Sequence, residues 1–245
     1  MIEKGKFYGG TSGLKISMPK RDFPEEHKEK SRLTYYAHYE NSIEINSSFY
    51  KLPQAKTIAR WTTEVPSDFR FTFKLWRDIT HKKDLLFNAE ELIRFMKVIT
   101  TAEEKMGCLL VQFPPNLQAN ALPQLKELLK ILQTFNWTVA VEFRHPSWYK
   151  DTVYELLARC QAVMVIQDKP QAPTPMEVTS DKFVYLRFHG PAGDYKGTYS
   201  DDFLYEYAIH INEWLQEGRT IYAYFNNTAG DALNNLNFLR RCLDK

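Results

Sequence analysis

Eight short β-rich runs, helical periodicity between most of them and the lack of a glycine-rich dinucleotide fingerprint predict an α/β fold. The expected architecture is a single-domain, TIM-like (β/α)8 barrel of parallel strands over residues 1–245, with an irregular sixth unit. In chain order the runs are KFYGG, IEINSSF, FRFTFK, CLLVQF, TVAVEF, AVMVIQ, FVYLRF and TIYAYF. Eight is the number that closes such a barrel, and the alternation of strand with helix makes the strands parallel.

The helices between them follow from spacing. Leu92, Phe95, Met96 and Ile99 recur at helical intervals, and Leu122, Leu125, Leu129 and Leu132 share one face. Asn88 followed by Glu91 resembles a capping box, Ser200 can cap the helix running through Trp214, and Gly107 and Gly218 are expected just past helix ends. The sixth connection, KPQAPTPMEVTS, carries three prolines and is expected to be a long loop rather than a helix. YGGTSG follows the first run but is not GxGxxG, so it reads as a tight first turn or a weak phosphate nest.

Composition narrows the function. With 32 basic against 30 acidic side chains and no block of like charge, there is no footprint of a nucleic-acid clamp. Cys108, Cys160 and Cys242 are odd in number and lack CxxC spacing, which argues against a disulfide framework or a zinc ribbon. No run approaches the roughly 18 apolar residues that span a bilayer, and MIEKGKFYGG has no apolar leader core, so a cytoplasmic protein without membrane contact is expected.

In a parallel barrel, chemistry gathers where strands run into helices. Those connections are long and polar here, whereas the return connections such as EKMG and QEGR are short and bland. His81, His145 and His189 fall in the reactive loops; His27, His38 and His210 fall in or near helices. The expected site brings together Glu44, Asn46, Lys74, Gln112, Glu142, Arg144, Asp168, Arg187, His189 and Asn226, with Tyr50, His81, His145, Trp148, Tyr199 and Asn227 beside them. Each has a structural alternative. Glu142 and Arg144 can form an ion pair that only fixes geometry, Asn226 and Asn227 can cap a helix, and the aromatic residues can roof the core. As a set, ionisable groups in a partly dry cavity cost free energy that Val, Ile and Leu would not, which points to a ligand.

The motifs GTSG, EINSSFY, FTFKLWRDITH, QFPP, VEFRHPSW, YLRFHG and YFNNTAGDA resemble, in order, those of the DUF72 or YecE-like family. The resemblance spans essentially the whole chain and implies a TIM-barrel-like fold with no established activity. The opening departs from the family pattern: GTSGLKISMPKRDFPEEH lacks the tryptophans and tyrosine usual there, so Leu14 to His27 is where a different contribution to the mouth is expected.

Three functions compete on these residues. The first is an enzyme, hydrolase or isomerase, acting on a small phosphorylated or carboxylated substrate: Lys74, Arg144 and Arg187 hold the anion, Glu142 or Asp168 is the general base, and His189 or His145 the acid. The second is a divalent-metal hydrolase or isomerase with Glu44, Glu142, Asp168 and His189 as ligands, although no pair has diagnostic spacing. The third is a non-catalytic module in which Trp76, Trp148 and Tyr199 stack bases and THKKD meets backbone. The partner favoured by the charge pattern is a small anionic molecule, with nucleic acid disfavoured; the cofactor is unknown, none being strongly implied, no metal ligand is assigned, and the oligomeric state is left open.

Overall fold

The computed structural model describes residues 3–243. Eight parallel strands follow the chain: β1 (Phe7–Thr11), β2 (Ser42–Ile45), β3 (Arg70–Lys74), β4 (Met106–Gln112), β5 (Thr138–Glu142), β6 (Ala162–Gln167), β7 (Phe183–Phe188) and β8 (Thr220–Phe225). They hydrogen-bond in the order β1-β8-β7-β6-β5-β4-β3-β2, so β1 and β2 are the edges that must meet for the barrel to close. The longer helices are α1 (Arg32–Tyr39), α2 (Ala55–Thr63), α3 (Ala89–Ile99), α4 (Leu122–Leu132), α5 (Asp151–Arg159), α6 (Asp201–Gln216) and α7 (Ala232–Leu243). No helix lies between β6 and β7, where the three prolines fall.

The β1–β2 seam is closed largely by side chains. The Asn41 side chain accepts from Gly9 N at 3.0 Å and donates to Phe7 O at 2.8 Å, while the Tyr36 hydroxyl accepts from Thr11 N at 2.8 Å and donates to Ser42 O at 3.0 Å. A backbone bond from Gly13 N to Glu44 O at 2.8 Å completes it. Gly10 is required here, because a Cβ at that position would stand 2.1 Å from Ser42 O.

Strand alternation places the site. One parity of each strand faces the helices, as Val184, Leu186 and Phe188 of β7 do in a core with Leu204, Ile211 and Leu236. The other parity fills the barrel with Tyr8, Cys108, Leu110, Ala140, Val163, Val165, Tyr185, Tyr222 and Tyr224. Its next inward positions toward the C-terminal ends are Glu44, Lys74, Gln112, Glu142, Gln167 and Arg187, so the polar layer caps an aromatic and aliphatic one.

Caps and breaks match local chemistry. Asn88 Oδ1 accepts from the amides of Glu90 and Glu91, Ser200 Oγ accepts from Phe203 N, and Gly218 takes a φ of +84° just past α6. Two expectations are corrected. Gly107 lies inside β4, not at a helix end, where its missing Cβ leaves room for Phe71 O and Thr72 Oγ1 at 3.0 Å. Residues 47–49, the end of the run IEINSSF expected as strand, belong instead to one helical turn, Ser47–Tyr50, because Ser48 Oγ bonds back to Ile45 O at 2.6 Å. The atypical first loop packs on α1, with Phe23 buried and stacked on Tyr35 at 4.0 Å.

Candidate active site at the barrel mouth

Arg187 is the centre of the polar layer and is 2% exposed. Its Nε and Nη2 donate to Glu44 Oε2 and Oε1 at 3.0 and 2.7 Å, a bidentate pair, and its Nη1 donates to Glu142 Oε2 at 2.7 Å. Ser12 Oγ and the Tyr185 hydroxyl also donate to Glu44, each at 2.6 Å. Four hydrogen bonds leave Glu44 little capacity for anything else. Burial alone would raise the Glu44 carboxyl, but Arg187, Ser12 and Tyr185 together hold it below the ordinary carboxylate range.

Glu142 is equally buried, and burial is again outweighed: Arg144 first, then Arg187, keep it far below that range. It is therefore a permanent anion at neutral pH, not a proton acceptor. Its second oxygen forms an ion pair with Arg144 Nη2. That nitrogen also donates to His189 Nε2 at 2.9 Å, and Arg187 Nη1 lies 3.2 Å from the same atom. Guanidinium nitrogens only donate, so Nε2 is the acceptor and the His189 proton sits on Nδ1, 3.4 Å from Asp168 Oδ1. Burial, reinforced by the two arginines against the pull of Asp168, lowers the His189 pKa, and the ring is neutral.

Asp168 is held in turn. Its Oδ1 accepts from His189 N at 2.8 Å and its Oδ2 from the Tyr199 hydroxyl, which itself accepts from Gly190 N. Gly190 has a φ of +92° and a missing Cβ that would meet Lys196 O at 2.2 Å, so only glycine gives this turn. Burial and the Asp168 charge push the Tyr199 phenol well above its usual range.

Lys74 differs from the rest. It is half-buried, and among the described residues no carboxylate lies within ion-pair distance of its Nζ, which sits 4.2 Å over the Phe49 ring. Burial, with Arg187 and Arg144 adding to it, lowers its pKa to about 8 despite Glu142 and Glu44. His81 packs against the same ring in a T-shaped arrangement, with centroids 5.0 Å apart, and bonds Thr80 Oγ1 at 2.9 Å; burial and then Lys74 bring its pKa down to about 4. Arg144 also keeps a spare donor, since its Nε is buried without an acceptor among the described residues.

The structure thus brings Glu44, Lys74, His81, Glu142, Arg144, Asp168, Arg187, His189 and Tyr199 into one region, and it separates others. Trp148 is a correction: fully buried, it stacks on Phe143 at 4.7 Å and donates to Leu117 O at 2.8 Å, so it packs the core rather than the mouth. His145 is turned away to accept from Ser147 N at 3.2 Å, capping the turn Pro146–Trp148. Asn227 is buried and ties Gly197 O to Asn235 Oδ1, at 3.0 and 2.9 Å. Gln112 is half-buried and bonds Phe113 O, Asn226 is half-buried, Tyr50 is exposed, and Asn46 Oδ1 is buried without a partner among the described residues. Ser12, Tyr185 and Phe49 escaped the sequence reading. Strand parity would have found Ser12 and Tyr185, which share the inward register of Glu44 and Arg187; Phe49 was hidden inside an apparent strand.

Among the described residues no three His, Cys, Asp or Glu side chains assemble as a metal set, and no helix is long and apolar enough to cross a membrane. A cavity of about 550 Å3 opens at the opposite, N-terminal end of the strands, lined by Asn136, Thr138, Lys182 and Tyr222 among others. It holds none of this network, and that end of a parallel barrel serves stability. The site is assigned from the converging side chains instead.

Fold and site together define a parallel α/β barrel with a buried ion-pair network at the C-terminal ends of its strands. Its sequence matches the family model described as "Protein of unknown function DUF72" over residues 8–245, and the chain belongs to that family. It is 27% identical to UPF0759 protein YunF of Bacillus subtilis, over 91% of this chain and 90% of that protein. A DUF72 family protein of Thermotoga maritima has 26% identity, a TM-score of 0.79 and coverage of 98% of this chain and all of that one. A DUF72 family protein of Enterococcus faecalis, 22% identical, shares the fold with a TM-score of 0.82 across 98% of this chain and 96% of that one.

Proposed function

We propose that the protein is a cytoplasmic enzyme, a hydrolase or isomerase, that binds a small anionic substrate at the C-terminal mouth of its barrel and acts on it by acid/base chemistry. The observation that carries this reading is the state of Lys74. Every other cation of the layer is matched: Arg187 lies between two carboxylates, and Arg144 pairs with Glu142. Among the described residues Lys74 has no carboxylate within ion-pair distance, and burial, with Arg187 beside it, lowers its pKa more than Glu142 and Glu44 raise it. Arg144 Nε, buried and unmatched, is a second waiting donor. An oxyanion seated between them supplies the missing acceptor to both.

The roles expected from sequence are redistributed. Glu142 holds its charge and orients the two arginines. His189, neutral and accepting from both guanidinium groups, positions them and passes their orientation to Asp168. Proton transfer falls to Lys74, whose pKa of about 8 lets it donate at neutral pH and return to the amine on demand. A metal reading draws little from this geometry, because Glu44 and Glu142 direct their oxygens at arginines. Calorimetric titration with sulfate tests the binding half: saturation at millimolar concentration is expected for the natural sequence, with at least tenfold weaker binding for Lys74→Met. No saturable binding of sulfate, phosphate or acetate would sink the reading.

A further inference from the structure

Beside Arg144 the mouth opens into a cavity of about 390 Å3, within the range of small-molecule pockets. One wall is Pro146 and Tyr149, from the loop after β5; the other is Ala172, Pro173 and Pro175, from the helix-free segment between β6 and β7. Arg144 is its one charged lining residue. The second wall is fixed in place, since Gln167 Nε2 donates to Ala172 O at 2.6 Å and Ala172 N to Lys169 O at 2.9 Å.

Two features make this more than a surface dent. The Arg144 side chain is only 8% exposed, and its Nη2 is committed to Glu142 and His189, while its Nε has no acceptor among the described residues. A buried N–H without a partner is unfavourable, so a ligand oxygen that reaches it gains what the protein leaves open. The walls, by contrast, offer few free donors: proline has no N–H, the Tyr149 hydroxyl is directed at Phe143 O at 3.3 Å, Gln171 Nε2 donates to Ala192 O at 3.1 Å, and Thr174 Oγ1 alone is a buried hydroxyl without a partner among the described residues. A phosphate body placed there would find the Thr174 hydroxyl for one oxygen and leave the others short of partners. A flat apolar body would replace water against proline rings and the tyrosine face at no such loss.

We infer that this cavity seats the apolar body of a small carboxylate whose carboxylate group meets Arg144, which makes the substrate class of the proposed enzyme an apolar, aromatic-sized carboxylic acid. This rests on the anion-binding reading of the mouth and narrows it. The proline-rich segment then has a purpose beyond connecting two strands: it cannot form a helix and instead supplies a rigid wall.

Benzoate is the direct probe, titrated by calorimetry or by amide chemical shifts into the full chain, with acetate and benzamide as its two halves. The expected result is millimolar or tighter benzoate binding, at least tenfold stronger than either comparator. Ala172→Phe, which fills the cavity from its proline-rich wall, is expected to weaken benzoate at least tenfold while leaving the circular dichroism spectrum unchanged. Benzoate that binds no better than acetate, or that is indifferent to a folded Ala172→Phe protein, overturns the inference. Sulfate separates the two levels: if it binds and benzoate does not, the cavity assignment fails and the anion reading stands; if neither binds, both fail.

Discussion

Replacing Lys74 by Met is expected to make the protein more stable, and the size of the effect follows from the site. The Lys74 pKa falls from its usual 10.5 to about 8. At about 1.4 kcal/mol per unit, holding the ammonium in this position costs roughly 3 kcal/mol in the native state. Contact with the Phe49 ring, 4.2 Å away, returns on the order of 1 kcal/mol. Methionine keeps most of the packing and removes the charge, so the net gain at pH 7 is about 2 kcal/mol. The sign with pH is fixed by proton linkage: between about 8 and 10.5 the unfolded chain holds the proton and the native one does not, so the natural protein gains stability as pH rises through that window. The advantage of the variant is constant below about 8, shrinks above it and vanishes past 10.5. Urea unfolding of both proteins at neutral and alkaline pH measures it. A Lys74→Met protein less stable than the parent at pH 7, or a difference that does not shrink with pH, would refute the view of Lys74 as a cation kept at the expense of stability.

Further outcomes follow from the same network. Glu142→Gln leaves two buried guanidinium groups short of a counter-ion and is expected to destabilise by about 3–5 kcal/mol in denaturant titration, against near-neutral effects for the exposed Arg21–Asp22 pair. Because Glu44 and Glu142 have lowered pKa values in the folded state, their contribution is complete above the ordinary carboxylate range and is lost as pH falls below the usual 4.5, so acid unfolding should begin there and be blunted in Glu142→Gln. Gly10→Ala drives a methyl group to 2.1 Å from Ser42 O and is expected to cost about 2–3 kcal/mol, read as a lowered unfolding midpoint with earlier hydrogen exchange in β1 and β2 than elsewhere.

The strands and most caps were legible in the sequence because they rest on local rules. Alternation in FVYLRF separates Val184, Leu186 and Phe188 from Tyr185 and Arg187, and the three prolines after Gln167 exclude a helix. Glu44, Glu142, Arg187 and His189 were legible as a group because strand ends of one parity converge in any parallel barrel. Their roles were not, since these depend on who pairs with whom across the barrel: Arg187 meets Glu44 across 143 positions of sequence. Trp148 and His145 misled for the complementary reason. Both lie in the expected loop, but a turn redirects one into the core and uses the other as a cap, and nothing in PSW announces which way a side chain will point. Phe49 needed the Ser48 hydroxyl bond to Ile45 O to become part of the mouth at all.

The pH dependence of sulfate binding is the most direct test of an anion site built on Lys74, because the charge of sulfate stays fixed while that of Lys74 changes. Affinity is expected to be constant below pH 7 and to fall as pH rises through about 8, with no such step in Lys74→Met. A flat profile in the natural protein, or the same step in the variant, would contradict the assignment.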